Sequence, residues 1–203
     1  MENRKLLTGF GAAVAGAAGA AVWALLFQQA STAGANLAVA PRPALNAAEL
    51  LQGGVLQAQN QDFDGAKTTF RRVLQADPDN MLAWYNLGVV SVQEGRLADA
   101  LEAYDSALKI DPSYTPALFN TALLLRTSNA ERAIALLKRT VAINPKASTA
   151  YYQLGEMLTR RGRHGQARDA FRRAVAVDPS LQSQVPKRFK DSTSPSPSTS
   201  AGK

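Results

Sequence analysis

The dipeptides Asp77-Pro78, Asp111-Pro112, Asn144-Pro145 and Asp178-Pro179 recur at intervals of 34, 33 and 34 residues. Proline has no amide hydrogen to donate, and it disfavours helix in the residue before it. Each pair therefore ends a segment, and four segments of nearly equal length follow one another. A fixed period of this size marks a stacked repeat, in which one unit buries its apolar face only against a copy of itself. That requirement removes most of the folds otherwise open to a chain of 203 residues.

Setting the segments in register supports this. Trp84-Tyr85-Asn86-Leu87-Gly88 aligns with Leu118-Phe119-Asn120-Thr121-Ala122 and with Tyr151-Tyr152-Gln153-Leu154-Gly155. Ahead of each proline comes a small residue, a large one, then a further small or apolar one: Ala66/Phe70/Val73, Ala100/Tyr104/Ala107, Ala133/Leu137/Thr140 and Ala167/Phe171/Ala174. Spacings of three and four place each set on one helix face. The small residues, with Gly88 and Gly155, let paired helices approach closely. Trp84 and Tyr151, with Phe70, Tyr104, Leu137 and Phe171, are expected to fill the layers between pairs. Gly95 and Gly162 suit the turn between helices. Asn46 with Glu49, and Thr115 before Pro116, are helix-start signals.

This pattern resembles the tetratricopeptide repeat, a helix-turn-helix unit of 34 residues. The resemblance covers residues 47–181 in four repeats, 47–80, 81–114, 115–147 and 148–181, within a domain of 45–185. It implies a right-handed superhelical solenoid, which with the apolar run at 6–27 makes an all-α fold preceded by a single hydrophobic helix. The first repeat departs from the pattern, with Leu50 at the bulky aromatic position and Gly53-Gly54 where Leu-Gly is usual. The third is one residue short in its turn, Thr127-Ser128-Asn129-Ala130, and has Ala122 for the close-packing glycine. After Pro179 only Leu181–Val185 remain before Pro186, too few for a full capping helix. The last repeat is therefore expected to fray or to pair with another molecule.

Composition removes much of enzymology. Cysteine is absent and His164 is the only histidine. Disulfides, thiol catalysis, cysteine-based zinc and multi-histidine metal sites are excluded. His164 lies in the turn Arg161-Gly162-Arg163-His164-Gly165, with no Ser or Cys nucleophile beside it. The pairs Asp62/Asp64 and Asp77/Asp79 fall at helix starts and loops, where carboxylates cap free N–H groups. Without strands there is no strand-borne phosphate loop. The chain reads as a non-enzyme with no catalytic, cofactor-binding or metal-ligating residues.

What the resemblance implies instead is a concave groove lined by the first helix of each repeat. The first repeat offers Leu51, Val55 and Gln59. The second offers Leu82, Tyr85, Asn86, Val89 and Gln93. The third offers Phe119, Asn120, Leu123 and Arg126, and the fourth Tyr152, Gln153, Glu156 and Arg160. Leu51, Val55 and Leu123 read equally well as core. Tyr85, Phe119 and Tyr152 recur one repeat apart beside Asn86, Asn120 and Gln153. Such an aromatic row flanked by amides suits a bound peptide, the rings for burial and the amides for backbone hydrogen bonds. The lysine-asparagine clamp that some relatives place on a chaperone's C-terminal carboxylate is not carried over. Asn86 and Asn120 are present, but Leu51, Val55, Tyr85 and Val89 stand where its other partners belong.

The net charge is +7, yet residues 47–181 hold only +2 of it. Within them the first two repeats sum to −5 and the last two to +7. Solvated helix surface explains this division; the alternative is electrostatic orientation of a partner, or weak head-to-tail self-association. No aromatic-basic platform or recognition helix points to nucleic acid.

The flanks differ from the repeats. Arg4 and Lys5 precede an uncharged run, Leu6 to Phe27, of 22 residues. As a helix it would span about 33 Å, enough to cross a bilayer. An uncleaved anchor, a cleaved signal with small-x-small sites at Ser31-Thr32-Ala33 and Ala33-Gly34-Ala35, and a soluble Ala-rich helix are the three readings. The basic residues would stay cytoplasmic and the repeats would face outward. Residues 28–44 read as a flexible stalk, and residues 186–203 as a disordered, basic Ser/Pro-rich tail.

Overall fold

A computed structural model of the chain describes residues 46–190. The expectations for the anchor or signal segment 1–27, for the stalk 28–44 and for the distal tail lie outside the described residues. Among the described residues no helix is long and apolar enough to cross a membrane.

Eight helices pair into four hairpins: α1 (Ala47–Gln59) with α2 (Phe63–Ala76), α3 (Met81–Gln93) with α4 (Leu97–Ile110), α5 (Thr115–Leu125) with α6 (Ala130–Ile143), and α7 (Ser148–Arg160) with α8 (His164–Val177). Each hairpin falls inside one of the four repeats read from the sequence, and the described residues contain no strand. Every helix packs on its sequence neighbours, and α1 also touches α3. The hairpins therefore stack in a line, with α1, α3, α5 and α7 as the first helix of each pair.

Local chemistry explains the boundaries. Asn46 Oδ1 accepts from the Glu49 amide at 2.8 Å and Glu49 Oε2 accepts from the Asn46 amide at 3.1 Å, a reciprocal capping box. Gly95 and Gly162 close their turns at φ of +74° and +72°, a region other residues enter at a cost. The second start signal is displaced by one: Thr115 is already helical, Tyr114 is the cap residue and makes no side-chain cap bond, and Pro116 occupies the first turn.

The two departures from the repeat pattern are resolved inside the hairpins. A methyl on Gly54, Gly88 or Gly155 would come within 2.5, 2.4 and 2.8 Å of Phe70, Tyr104 and Phe171. Three hairpins thus close a glycine against an aromatic ring. In the third, Ala122 shares a buried cluster with Leu137, so a larger residue on one helix is met by a smaller one on the other. Phe70, Tyr104, Leu137 and Phe171 are all within 1% of full burial. Trp84 and Tyr151 are only half-buried, contrary to their expected place in the filled layers. Trp84 turns its indole N–H onto the Pro78 carbonyl at 2.8 Å, anchoring the loop before its own helix.

The end of the array differs from expectation. A 3-10 turn (Pro179–Ser183) and a short helix α9 (Lys187–Lys190) continue the fold past residue 185, so residues 186–190 belong to the domain and not to the tail. Val185 and Phe189 are 1% and 2% exposed. The Phe189 ring centroid lies 5.3 Å from that of Phe171, and the Tyr152 hydroxyl donates to the Gln184 carbonyl at 3.2 Å. Two apolar side chains and a hydrogen bond do the covering that a full helix would otherwise do. The premise that too few residues remain to cover the last repeat is corrected accordingly.

Each junction between repeats also carries an ion pair. Lys67 Nζ meets Glu94 Oε1 at 2.6 Å, Arg132 meets Asp105 at 2.9 Å, and Arg161 and Arg163 meet Glu131 at 3.0 and 2.9 Å. The first of these is the most enclosed, with Lys67 9% and Glu94 17% exposed at their side chains.

Candidate peptide-binding groove

The inner helices are nearly free of charge. Helices α3 and α5 carry none, and the single charge on α1, Glu49, is held in the capping box. Between α1 and α3 lies a hollow of about 640 Å³ lined by Val55, Ala58, Gln59, Gln61, Phe63, Asn86, Val89, Val90 and Gln93. A second, of about 230 Å³ between α3 and α5, is lined by Val89, Val92, Gln93, Tyr104, Asn120, Leu123 and Leu124. They share Val89 and Gln93, so the two form one trough with apolar walls and amides at its edges. No lining residue is charged at neutral pH.

Of the residues expected in a groove, the structure brings together Val55, Gln59, Asn86, Val89, Gln93, Asn120 and Leu123. Asn86 donates Nδ2 to the Leu82 carbonyl at 2.7 Å, and Asn120 donates Nδ2 to the Tyr85 and Tyr104 hydroxyls at 3.3 and 3.4 Å. One end of each amide is thereby fixed and the other is uncommitted, which is what backbone recognition requires.

The three rings of the expected aromatic row each have neighbours inside the fold. Tyr85 lies 5.7 Å from the Tyr104 ring and edge-on to Tyr114 at 5.1 Å, both within its own repeat, while the Asn120 bond ties it to the third. Burial pushes the Tyr85 and Tyr104 phenols up, the latter to about 12. Phe119 opens instead onto a separate hollow of about 320 Å³ beside Thr140, Asn144 and Ser148. Tyr152 packs edge-on to Phe171 at 5.5 Å beneath the chain end, and its phenol is raised by burial first and by Glu156 second. Leu51 packs into the apolar clusters of the first hairpin. Gln153 and Glu156 are half-buried on α7, while Arg126 and Arg160 are exposed at the C-terminal ends of α5 and α7.

Sequence reasoning missed Ala58, Phe63, Val90, Val92 and Leu124 as lining residues. Phe63 and Gln61 belong to the turn and second helix of the first repeat, and only the folded hairpin brings them to the inner side. His164 begins α8 and stands 6.3 Å from the Phe189 ring, where it supports the chain end. Among the described residues no group of His, Asp and Glu is placed to hold a metal ion.

Stacked hairpins with an uncharged trough across their inner helices define an α-solenoid of the interaction-scaffold class. The tetratricopeptide repeat pattern matches residues 51–115 and 123–181, and the chain belongs to the tetratricopeptide repeat family. It is 30% identical over 138 residues to the human tetratricopeptide repeat protein 6, covering 68% of this chain and 26% of that protein. It is 42% identical over 74 residues to the tomato protein SPINDLY, a probable UDP-N-acetylglucosamine–peptide N-acetylglucosaminyltransferase, covering 36% of this chain and 8% of that protein. The chain thus spans about a quarter or less of these curated relatives. Among solved structures, MamA superposes with a TM-score of 0.63 at 26% identity, covering 72% of this chain and 78% of that one.

Proposed function

We propose that the chain is a non-catalytic adaptor that binds a partner protein by a peptide segment laid in the trough across α1, α3 and α5. The observation that carries this reading is the continuity of the trough through Val89 and Gln93, with apolar walls and half-committed amides. An exposed segment would gain burial against Val55, Val89 and Leu123 and backbone hydrogen bonds from Asn86 and Asn120. Tyr85 and Tyr152 are left out of this reading, since their rings already have partners inside the fold.

Membrane attachment belongs to the same proposal. The uncharged run 6–27 behind Arg4 and Lys5 supports a single-pass anchor with a cytoplasmic N-terminus and repeats outside. The small-x-small sites at 31–35 support the second reading, a cleaved, secreted or periplasmic adaptor, or a non-catalytic subunit of an envelope assembly complex. N-terminal sequencing of the mature protein separates them.

The groove is tested with Val89→Glu, which puts a carboxylate in the middle of the trough. Capture of a cross-linked partner should fall by more than about tenfold, as for truncation of a central contact, while the melting temperature stays near that of the parent. Unchanged capture by the folded variant would remove the groove from the reading.

A further inference from the structure

We infer that the partner segment has two unlike halves, an uncharged one seated on the first three repeats and an acidic one seated where the third and fourth repeats end their inner helices. This rests on the peptide-binding reading above and adds the chemistry of the occupant.

The uncharged half follows from the trough itself. A charged side chain pressed among Val55, Val89 and Leu123 would lose its water without meeting an opposite charge, at a substantial free-energy cost. The amides of Gln59, Asn86, Gln93 and Asn120 satisfy a peptide backbone or short polar side chains equally well. That stretch selects against Lys, Arg, Asp and Glu alike.

The acidic half follows from a change of chemistry at the C-terminal ends of the inner helices. The first two inner helices end on Gln59 and Gln93. In the third repeat Arg126 caps α5, and in the fourth Arg160 ends α7. Both side chains are exposed, and neither makes an ion pair, whereas Arg132, Arg161 and Arg163 are all bound to Asp105 or Glu131. Two uncommitted guanidinium groups at successive inner-helix ends are suited to carboxylates, which they hold with paired, charge-assisted hydrogen bonds. Glu156 is the one opposing charge on the inner helices there, and its Oε1 lies 3.4 Å from the Tyr152 hydroxyl, whose one hydrogen it shares with the Gln184 carbonyl.

The long-range field acts in the same sense. Repeats three and four sum to +7 and repeats one and two to −5. An acidic end is drawn to one half of the array and repelled by the other, which fixes the direction in which the segment lies. Direction thus comes from a repulsion as much as from an attraction.

The test is a randomised library of twelve-residue peptides, panned on the full-length chain, with selected peptides re-measured by fluorescence anisotropy. The selected peptides should hold an uncharged run with carboxylates confined to one end, and added salt should weaken them. The double variant R126E/R160E changes two exposed side chains, so its melting should be unaltered. It should weaken those peptides by about tenfold or more, the scale of lost hydrogen bonds to charged groups, and should select basic ends instead. Selected peptides with scattered charges, or the same acidic peptides held equally by parent and R126E/R160E, overturn the two-halved segment. Val89→Glu separates this from the groove reading: acidic peptides that survive Val89→Glu are bound elsewhere, and then the groove reading itself fails.

Discussion

The two halves of the array are closed in different ways. The first hairpin has no described element covering its outer end, and Leu56 stands 59% exposed on it. The last hairpin is finished by twelve residues, Pro179 to Lys190, that bury Val185 and Phe189 against Phe171. The inner face follows the same division. It is an open, uncharged trough over α1, α3 and α5, and at α7 it is partly roofed by the chain end through Tyr152. Equivalent repeat positions therefore do different work according to what lies next to them. Tyr85 is held by rings of its own repeat and a hydrogen bond from Asn120 of the next, Tyr152 by the terminal segment.

The largest effect should come from removing that segment's anchor. Phe189→Ala deletes a fully buried ring and should cost about 3 kcal/mol, whereas Leu56→Ala at the other end should change the melting temperature little. Hydrogen exchange should then show α7 and α8 losing protection while α1 to α4 keep theirs. A uniform loss across all four hairpins would mean that the halves are not independently closed.

A smaller effect, in the range of about 1–3 kcal/mol, is expected from Gly88→Ala, because the added methyl would sit 2.4 Å from the Tyr104 ring unless that ring moves. Gly155→Ala should be milder, since its approach to Phe171 is 2.8 Å. Chemical denaturation of the two variants checks the order, and a reversed order would show that the tyrosine gives way more easily than the phenylalanine.

The smallest effect is on pH dependence, and it again separates the halves. Burial raises the Tyr104 phenol to about 12, and the hydrogen bonds Lys67 donates to Asp64 and then to Glu94 raise its ammonium above its ordinary range. A group whose folded pKa is raised stabilises fully below its unfolded pKa and loses that contribution as pH climbs through the folded value. Stability should thus hold to about pH 10 and fall between there and about 12, with Lys67 and Tyr104 placing the loss in the first two repeats. The fourth repeat carries Phe171 at the position of Tyr104, and its own alkaline response rests on Tyr152, whose phenol is also raised. Tyr104→Phe should flatten the alkaline loss; an unchanged alkaline profile would place its source elsewhere.

How much of this was legible in the sequence depends on whether the deciding neighbour is near in the chain. The period, the hairpin pairs, the Gly95 and Gly162 turns and the Asn46–Glu49 box rest on residues within one repeat, and all could be read directly. The terminal closure could not, because Pro186 and the basic Lys187-Arg188 pair look like the start of a tail. Phe189 was the available signal: a lone large aromatic beyond the last repeat, 18 residues past the Phe171 ring it covers. The trough was half legible. Asn86, Val89, Asn120 and Leu123 follow from helix position alone. The occupation of Tyr85 by Tyr114 and Asn120, and of Tyr152 by Gln184, depends on the neighbouring unit. The exchange of glycine and aromatic for Ala122 and Leu137 is visible in the letters but acquires meaning only when the two helices face each other.

That last exchange has a consequence for how such a chain can change over generations. The third repeat is a residue shorter than its fellows and packs a different pair of side chains, yet the hairpins on either side keep theirs unaltered. Alterations in one unit are absorbed at its own borders. The number of units is accordingly something a gene can revise by duplication or loss of a single period, provided the inherited ending meets a ring of the kind found at Phe70, Tyr104 or Phe171. Behind Leu137 the same ending would find a smaller and differently shaped seat, so the order of the units is less free than their number.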